Sequence, residues 1–185
     1  MILGMGAVGF LLERQSDCEA RGCVPIAELL SARIANSAFH GTRLSPEHIA
    51  EDVNKVVVEA AKRAGVDLAT FARRAMFMSH ETYTPARGGS AAAEIASLKR
   101  AFGDDVSEIV VANTKGFTGH AMGAGIEDTV ALKSLQYQTV PPIANLKEPD
   151  GDLGALRFSQ GGHYDVEFAT VSYTHLRAHE TVLDL

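Results

Sequence analysis

Between Asn113 and Gly125 the chain reads Asn-Thr-Lys-Gly-Phe-Thr-Gly-His-Ala-Met-Gly-Ala-Gly, with one lysine and one histidine set among small residues. An apolar run, Ile109-Val110-Val111-Ala112, comes directly before it. Glycine lacks the Cβ that disfavours positive φ, so such a stretch can turn sharply and approach a substrate closely. A strand, a glycine-rich turn and then a helix is how α/β enzymes present side chains at a strand's carboxyl end. Lys115 and His120 held there would stabilise developing negative charge. The plainer alternatives are a helix cap for His120 and a solvated Lys115. A second group, Ser79-His80-Glu81-Thr82-Tyr83-Thr84-Pro85, closes the apolar run Ala75-Met76-Phe77-Met78. There His80 could simply bond to backbone, and Thr82 and Thr84 could be β-formers or hydroxyl donors to a ligand.

The segments around these groups alternate between strand and helix patterns. Val24 to Ile34 reads as a strand after the turn at Gly22. Ser45 caps and Pro46 opens a helix, because a proline at the first helical position lacks only an N–H that would have no partner anyway. Ile49, Val53, Val56, Val57, Ala60 and Ala61 recur at helical spacing along it, and Gly65 ends it. Asp67 caps a shorter helix leading into the Ala75–Met78 strand. Gly88 to Phe102 is Ala-rich and helical, Glu108 to Ala112 is a strand, and Gly123 to Gln136 is a helix stopped by Pro141-Pro142. Tyr164 to Val171 reads as a final strand with alternating burial. Interleaving of this kind predicts an α/β layered fold.

The totals narrow the function. At 185 residues, 46% hydrophobic and 22% charged, the chain suits one domain with a substantial core. A formal charge of −6 argues against a nucleic-acid or anionic-membrane partner. The absence of a long apolar run argues against a membrane span. Cys18 and Cys23 are the two cysteines; they do not suggest a disulfide framework, so a reducing, cytoplasmic setting is the default.

Taken together, the two histidine-bearing motifs are more specific than either alone. They resemble the C-terminal half of β-ketoacyl synthases, the thiolase-like condensing enzymes of fatty-acid and polyketide assembly. The family's His-Gly-Thr-Gly-Thr-Pro motif is matched by His80, Thr82, Thr84 and Pro85, and its Lys-x-x-x-Gly-His motif by Lys115, Gly119 and His120. The opening Gly-rich segment, with Leu12-Glu13-Arg14 and Ala20-Arg21-Gly22, and Val140-Pro141-Pro142 are similar to the family too. Glu81 and Tyr83 depart from it, standing where the common motif has glycines, which suggests a divergent branch.

The resemblance implies a decarboxylative Claisen condensation on acyl groups carried by the phosphopantetheine arm of an acyl carrier protein. His80, His120 and Lys115 would be catalytic, Thr82 and Thr84 would contact substrate, and no metal or nucleotide cofactor would be bound. Neither Cys18 nor Cys23 resembles the family's nucleophile elbow. Residues 1–172 therefore read as a partial synthase domain, inactive alone and lacking the nucleophile half, with Met1 an internal methionine. Residues 173–185 read as a non-family tail. The parent would be a homodimer, and faces meant for the missing half would expose apolar patches.

Two other readings compete. Gly4-Met5-Gly6-Ala7-Val8-Gly9 is a literal G-x-G-x-x-G, which in an NAD(P)-binding Rossmann domain would need a preceding strand and a helix opening at the glycines. The other is a non-catalytic α/β interaction module, in which no polar groups converge around His80 and His120. Metal sites built on Cys18, Cys23, His40 and His48, or on His175 and His179, lack suitable spacing or a third ligand.

Overall fold

The computed structural model describes residues 3–35, 45–81, 90–120, 125–173 and 178–184. Its centre is a mixed sheet whose faces are both covered by helices. Its parallel part is built from β2 (Ala75–Met78), β3 (Val110–Ala112) and β7 (Phe168–Tyr173), with β5 (Arg157–Phe158) at one edge of the sheet. The sheet runs β1-β8-β7-β2-β3-β5, where β1 is Glu28–Ala35 and β8 is Ala178–Asp184. β7, β2, β3 and β5 are mutually parallel, and β8 lies antiparallel to β1 and β7. Residues of the predicted tail thus enter this sheet as β8.

Strand periodicity of two divides the core. Ala75 and Phe77 of β2, Val111 of β3 and Phe168 of β7 face one layer. It is formed by α2 (Pro46–Ala64), α3 (Leu68–Arg73) and α4 (Ser90–Phe102). Phe71 of α3 stacks on Phe168 at 4.3 Å and on Phe102 at 6.2 Å between ring centres. Met76, Met78, Val110, Ala112, Ala169 and Val171 face the other layer, formed by α6 (Ile126–Tyr137) through Ala131 and Leu135.

The helix boundaries follow the expected local chemistry at several ends. The Ser45 hydroxyl accepts from the His48 N–H, Pro46 opens α2, and Gly65 closes it at φ 71°. Asp67 accepts from the Thr70 N–H at 2.7 Å and caps α3. Other boundaries move. β1 starts at Glu28 rather than Val24, because Pro25 has no N–H to give a ladder. Gly103–Glu108 is a 3₁₀ turn, so β3 begins at Val110. α6 is stopped by Gln138 in the left-handed region at φ 50°, whose amide donates to the Leu135 and Val166 carbonyls. A short strand, β4 (Thr139–Val140), then precedes the prolines and pairs antiparallel with β6 (Gly162–His163). β7 is buried on both faces instead of alternating, as an inner parallel strand between helix layers must be.

The opening glycine-rich segment corrects the dinucleotide reading. After a bridge at Leu3, residues 4–14 form neither strand nor helix, and α1 is the short polar Gln15–Ala20. Met5, Leu11 and Leu12 stand exposed along this stretch.

Candidate active site

The parallel strands β2 and β3 end side by side, and both histidine motifs leave from those ends. The Ser79 N–H donates to the Ala112 carbonyl at 2.8 Å, carrying the pairing one residue past β2. His80 follows, buried at 4% exposure. Across from it, β3 passes through Asn113 and Thr114 into α5, a single turn at Lys115–Thr118. Gly119 then turns at φ 69° to deliver His120. The two imidazoles meet edge to face, with ring centres 5.5 Å apart and planes at 71°.

Asn113 staples the two loops. Its amide donates to the carbonyls of Ser79 (3.2 Å) and Glu81 (3.0 Å), while its oxygen accepts the Lys115 N–H at 2.9 Å. Below His80, the buried Glu94 of α4 accepts the His80 backbone N–H at 2.5 Å and the Ser79 hydroxyl at 2.5 Å. Burial pushes the Glu94 carboxyl up to about 7, against the pull of those two hydrogen bonds.

Lys115 is buried and pairs through its ammonium with Glu127 of α6, also buried. His120 is held below the usual imidazole range, first by burial and then by the Lys115 charge, with Glu127 opposing. It is therefore neutral at neutral pH, with one ring N–H to donate. Its Nδ1 is buried and has no hydrogen-bond partner among the described residues.

The opening segment supports the His120 turn from outside. The Gly4 N–H donates to the His120 carbonyl at 3.1 Å, and Leu3 bridges to His120. A Cβ on Gly4 would lie 2.1 Å from the Thr118 carbonyl oxygen, and one on Gly119 would lie 2.7 Å from the Gly4 nitrogen. Gly4 is required by this close approach of two backbones, not by a phosphate.

Of the expected site residues, His80, Lys115 and His120 converge. Thr82 and Thr84 lie outside the described residues, as do His40 and His175 of the metal readings. No group of three possible metal ligands exists among the described residues. Glu94, Glu127 and the stapling role of Asn113 were not foreseen. Nor was Tyr173, whose ring stands 5.7 Å from that of His80 and whose hydroxyl donates to Asp128 at 2.5 Å. Burial and the Asp128 carboxylate hold that phenol well above its ordinary range. The convergence at the strand ends also argues against a non-catalytic module. A separate open cavity near Arg74, Gln138 and His163 lies at the opposite, amino end of β2 and β7 and shares no residue with this site.

Comparison with known proteins agrees with this geometry. The family described as "Beta-ketoacyl synthase, C-terminal domain" matches residues 26–147. The chain is 34% identical over 157 residues to 3-oxoacyl-[acyl-carrier-protein] synthase 2 of Vibrio cholerae, covering 83% of this chain and 36% of that protein. It is 29% identical over 157 residues to the ketoacyl synthase alpha subunit of the tetracenomycin polyketide synthase of Streptomyces glaucescens, covering 80% of this chain and 34% of that one. A type II polyketide ketosynthase solved with its acyl-carrier protein superposes with a TM-score of 0.72 at 24% identity, over 93% of this chain and 41% of that one. The chain spans about a third of the length of the curated relatives it matches. No described helix is long and apolar enough to cross a membrane. A thiolase-like layered sheet, two facing histidines at adjacent strand ends and a match over most of the sequence lead to one conclusion: this chain belongs to the β-ketoacyl synthase family, as its C-terminal domain.

Proposed function

We propose that this domain supplies the decarboxylation and enolate-binding half of a β-ketoacyl-[acyl-carrier-protein] synthase. The observation that supports it is the facing of His80 and His120 across 5.5 Å, with Lys115 buried behind them. In the reaction a cysteine thiolate takes an acyl group from a carrier's phosphopantetheine arm, forming a thioester. That cysteine is neither Cys18 nor Cys23. The malonyl thioester then loses CO₂; the electron pair of the broken C–C bond passes into an enolate whose charge gathers on the thioester oxygen. The ring N–H groups of His80 and His120 donate to that oxygen, and the new carbanion attacks the acyl-enzyme carbonyl, releasing the cysteine thiolate. Loss of one such donor costs about 10²–10³ in rate.

A neutral His120 imidazole keeps one ring N–H to donate to the enolate oxygen. Burial first, and then the Lys115 charge, favour that neutral form. Thr82 and Thr84 contact the substrate arm, an acyl carrier protein is the partner, and the working enzyme is a cytoplasmic homodimer. Residues 1–172 form the synthase portion, and the 185-residue chain alone does not condense. The test is malonyl-thioester decarboxylation by a synthase carrying this segment, with His80→Ala and His120→Ala each compared with the parent. Near-complete loss in both is expected, and a parental rate in either would refute the assignment.

A further inference from the structure

The two cysteines lie outside the catalytic centre, on a local structure that brings them together. Helix α1 ends in a Schellman motif. The Gly22 N–H donates to the Glu19 carbonyl at 2.9 Å, the Cys23 N–H donates to the Cys18 carbonyl at 3.0 Å, and Gly22 takes φ 66°. That motif sets the third residue from the helix end and the second residue beyond the cap against each other. Here those two residues are Cys18 and Cys23. Standard bond lengths on either side of the 3.0 Å hydrogen bond sum to about 7.2 Å in line, and the trigonal Cα–C=O angle alone shortens this limit on the Cα–Cα separation to about 6.9 Å. A disulfide spans about 4.4–6.8 Å. The Cys18 thiol already donates to the Cys23 carbonyl at 3.4 Å. Both thiols are free; Cys18 is buried and Cys23 is exposed.

We propose that Cys18 and Cys23 are a reversible redox pair, closed to an intrachain disulfide by glutathione disulfide. The exposed Cys23 thiolate attacks one sulfur of glutathione disulfide; that S–S bond breaks and a glutathione thiolate leaves. The Cys18 thiolate then attacks the Cys23 sulfur of the mixed disulfide and expels the second glutathione thiolate. The protein gives up two electrons and two protons, and glutathione disulfide becomes two glutathione molecules. Burial and the Glu13 carboxylate push the Cys18 thiol up, which keeps it from attacking first and leaves the exposed Cys23 as the entry point; Cys18 reacts second because the turn holds it beside the mixed disulfide. This site is independent of the condensation reading.

The test equilibrates the 185-residue chain in glutathione buffers of rising disulfide fraction, quenches with acid, alkylates and digests with trypsin. The expected product is peptide Gln15–Arg21 joined to Gly22–Arg33, with alkylation lost from both cysteines together. Cys18→Ser should stop at a glutathione adduct on Cys23. Gly22→Ala, which disfavours the left-handed turn without removing a thiol, should slow closure several-fold. A wild-type chain that keeps both thiols alkylatable, that accumulates the glutathione adduct on Cys23, or that links between chains instead of within one would overturn the proposal.

Discussion

Glu94 holds the backbone of His80: its carboxyl accepts the His80 N–H at 2.5 Å while also accepting the Ser79 hydroxyl at 2.5 Å. A helix from one layer thereby fixes the exit of β2, and with it the direction in which the first imidazole points. The arrangement carries a cost, because the carboxyl is buried and its pKa is pushed up to about 7. A carboxyl whose folded value lies above its unfolded one, near 4.5, binds its proton more tightly in the folded state. Its contribution is fully present below about 4.5 and is lost as pH rises toward 7. The shift corresponds to about 3 kcal/mol between those limits. Denaturant midpoints measured from pH 4.5 to pH 8 should fall accordingly, and Glu94→Gln should flatten that dependence. Glu94→Ala should cost about 2–4 kcal/mol at pH 5, because it removes the buried acceptor of both the Ser79 O–H and the His80 N–H.

The Lys115–Glu127 pair should behave as a unit. Lys115→Ala removes the cation that lowers His120 and leaves the Glu127 carboxylate, so the His120 imidazole should titrate at higher pH than in the parent. The His120 ring resonances followed against pH report this directly. The same substitution should destabilise the fold by about 3–5 kcal/mol, the usual cost of stranding one member of a buried pair. Lys115→Met combined with Glu127→Gln should recover much of the stability without restoring the charge beside His120. A His120 midpoint unmoved by Lys115→Ala would show that burial alone sets it.

Gly4 carries no reactive group, yet it should matter to the chemistry. A methyl at this position would lie 2.1 Å from the Thr118 carbonyl, so one of the two backbones must move and the His120 turn moves with it. Gly4→Ala in a synthase carrying this segment should lower malonyl decarboxylation by at least about tenfold, a loss typical of small misplacements in a positioned site. Gly9, whose added Cβ meets nothing within 4 Å, is the control, and Gly9→Ala should leave the rate unchanged. Equal effects at both positions would contradict the supporting role given to the opening segment.

The parts legible in the sequence are those where one local rule acts alone. Ser45, Pro46, Gly65 and Asp67 end their helices as their side chains require, and the apolar runs at Ala75–Met78 and Val110–Ala112 are strands. His80, Lys115 and His120 were visible because each follows a strand and is flanked by small or turn-forming residues. Glu94 was not, since its partners lie far from it along the chain. The available cue was a lone carboxylate among Ala91, Ala92, Ala93, Ile95 and Ala96, on a face that had to be buried. Gly4 was misleading for a related reason, because a glycine demanded by a distant backbone looks the same in sequence as one demanded by a phosphate. β7 differs from the expected strand in extent and periodicity, since a strand covered on both faces has no polar side to alternate.

The central claim is that His80 and His120 donate to one oxygen. The most direct measurement is malonyl-thioester decarboxylation by the parent synthase, His80→Ala, His120→Ala and the double variant, each confirmed folded by circular dichroism. Groups acting as a unit on one charge are strongly non-additive. Each single variant should lose about 10²–10³ in rate, and the double variant should lose far less than the product of those factors. Losses that multiply as though the two imidazoles acted at separate places, or a parental rate in either single variant, would contradict the account.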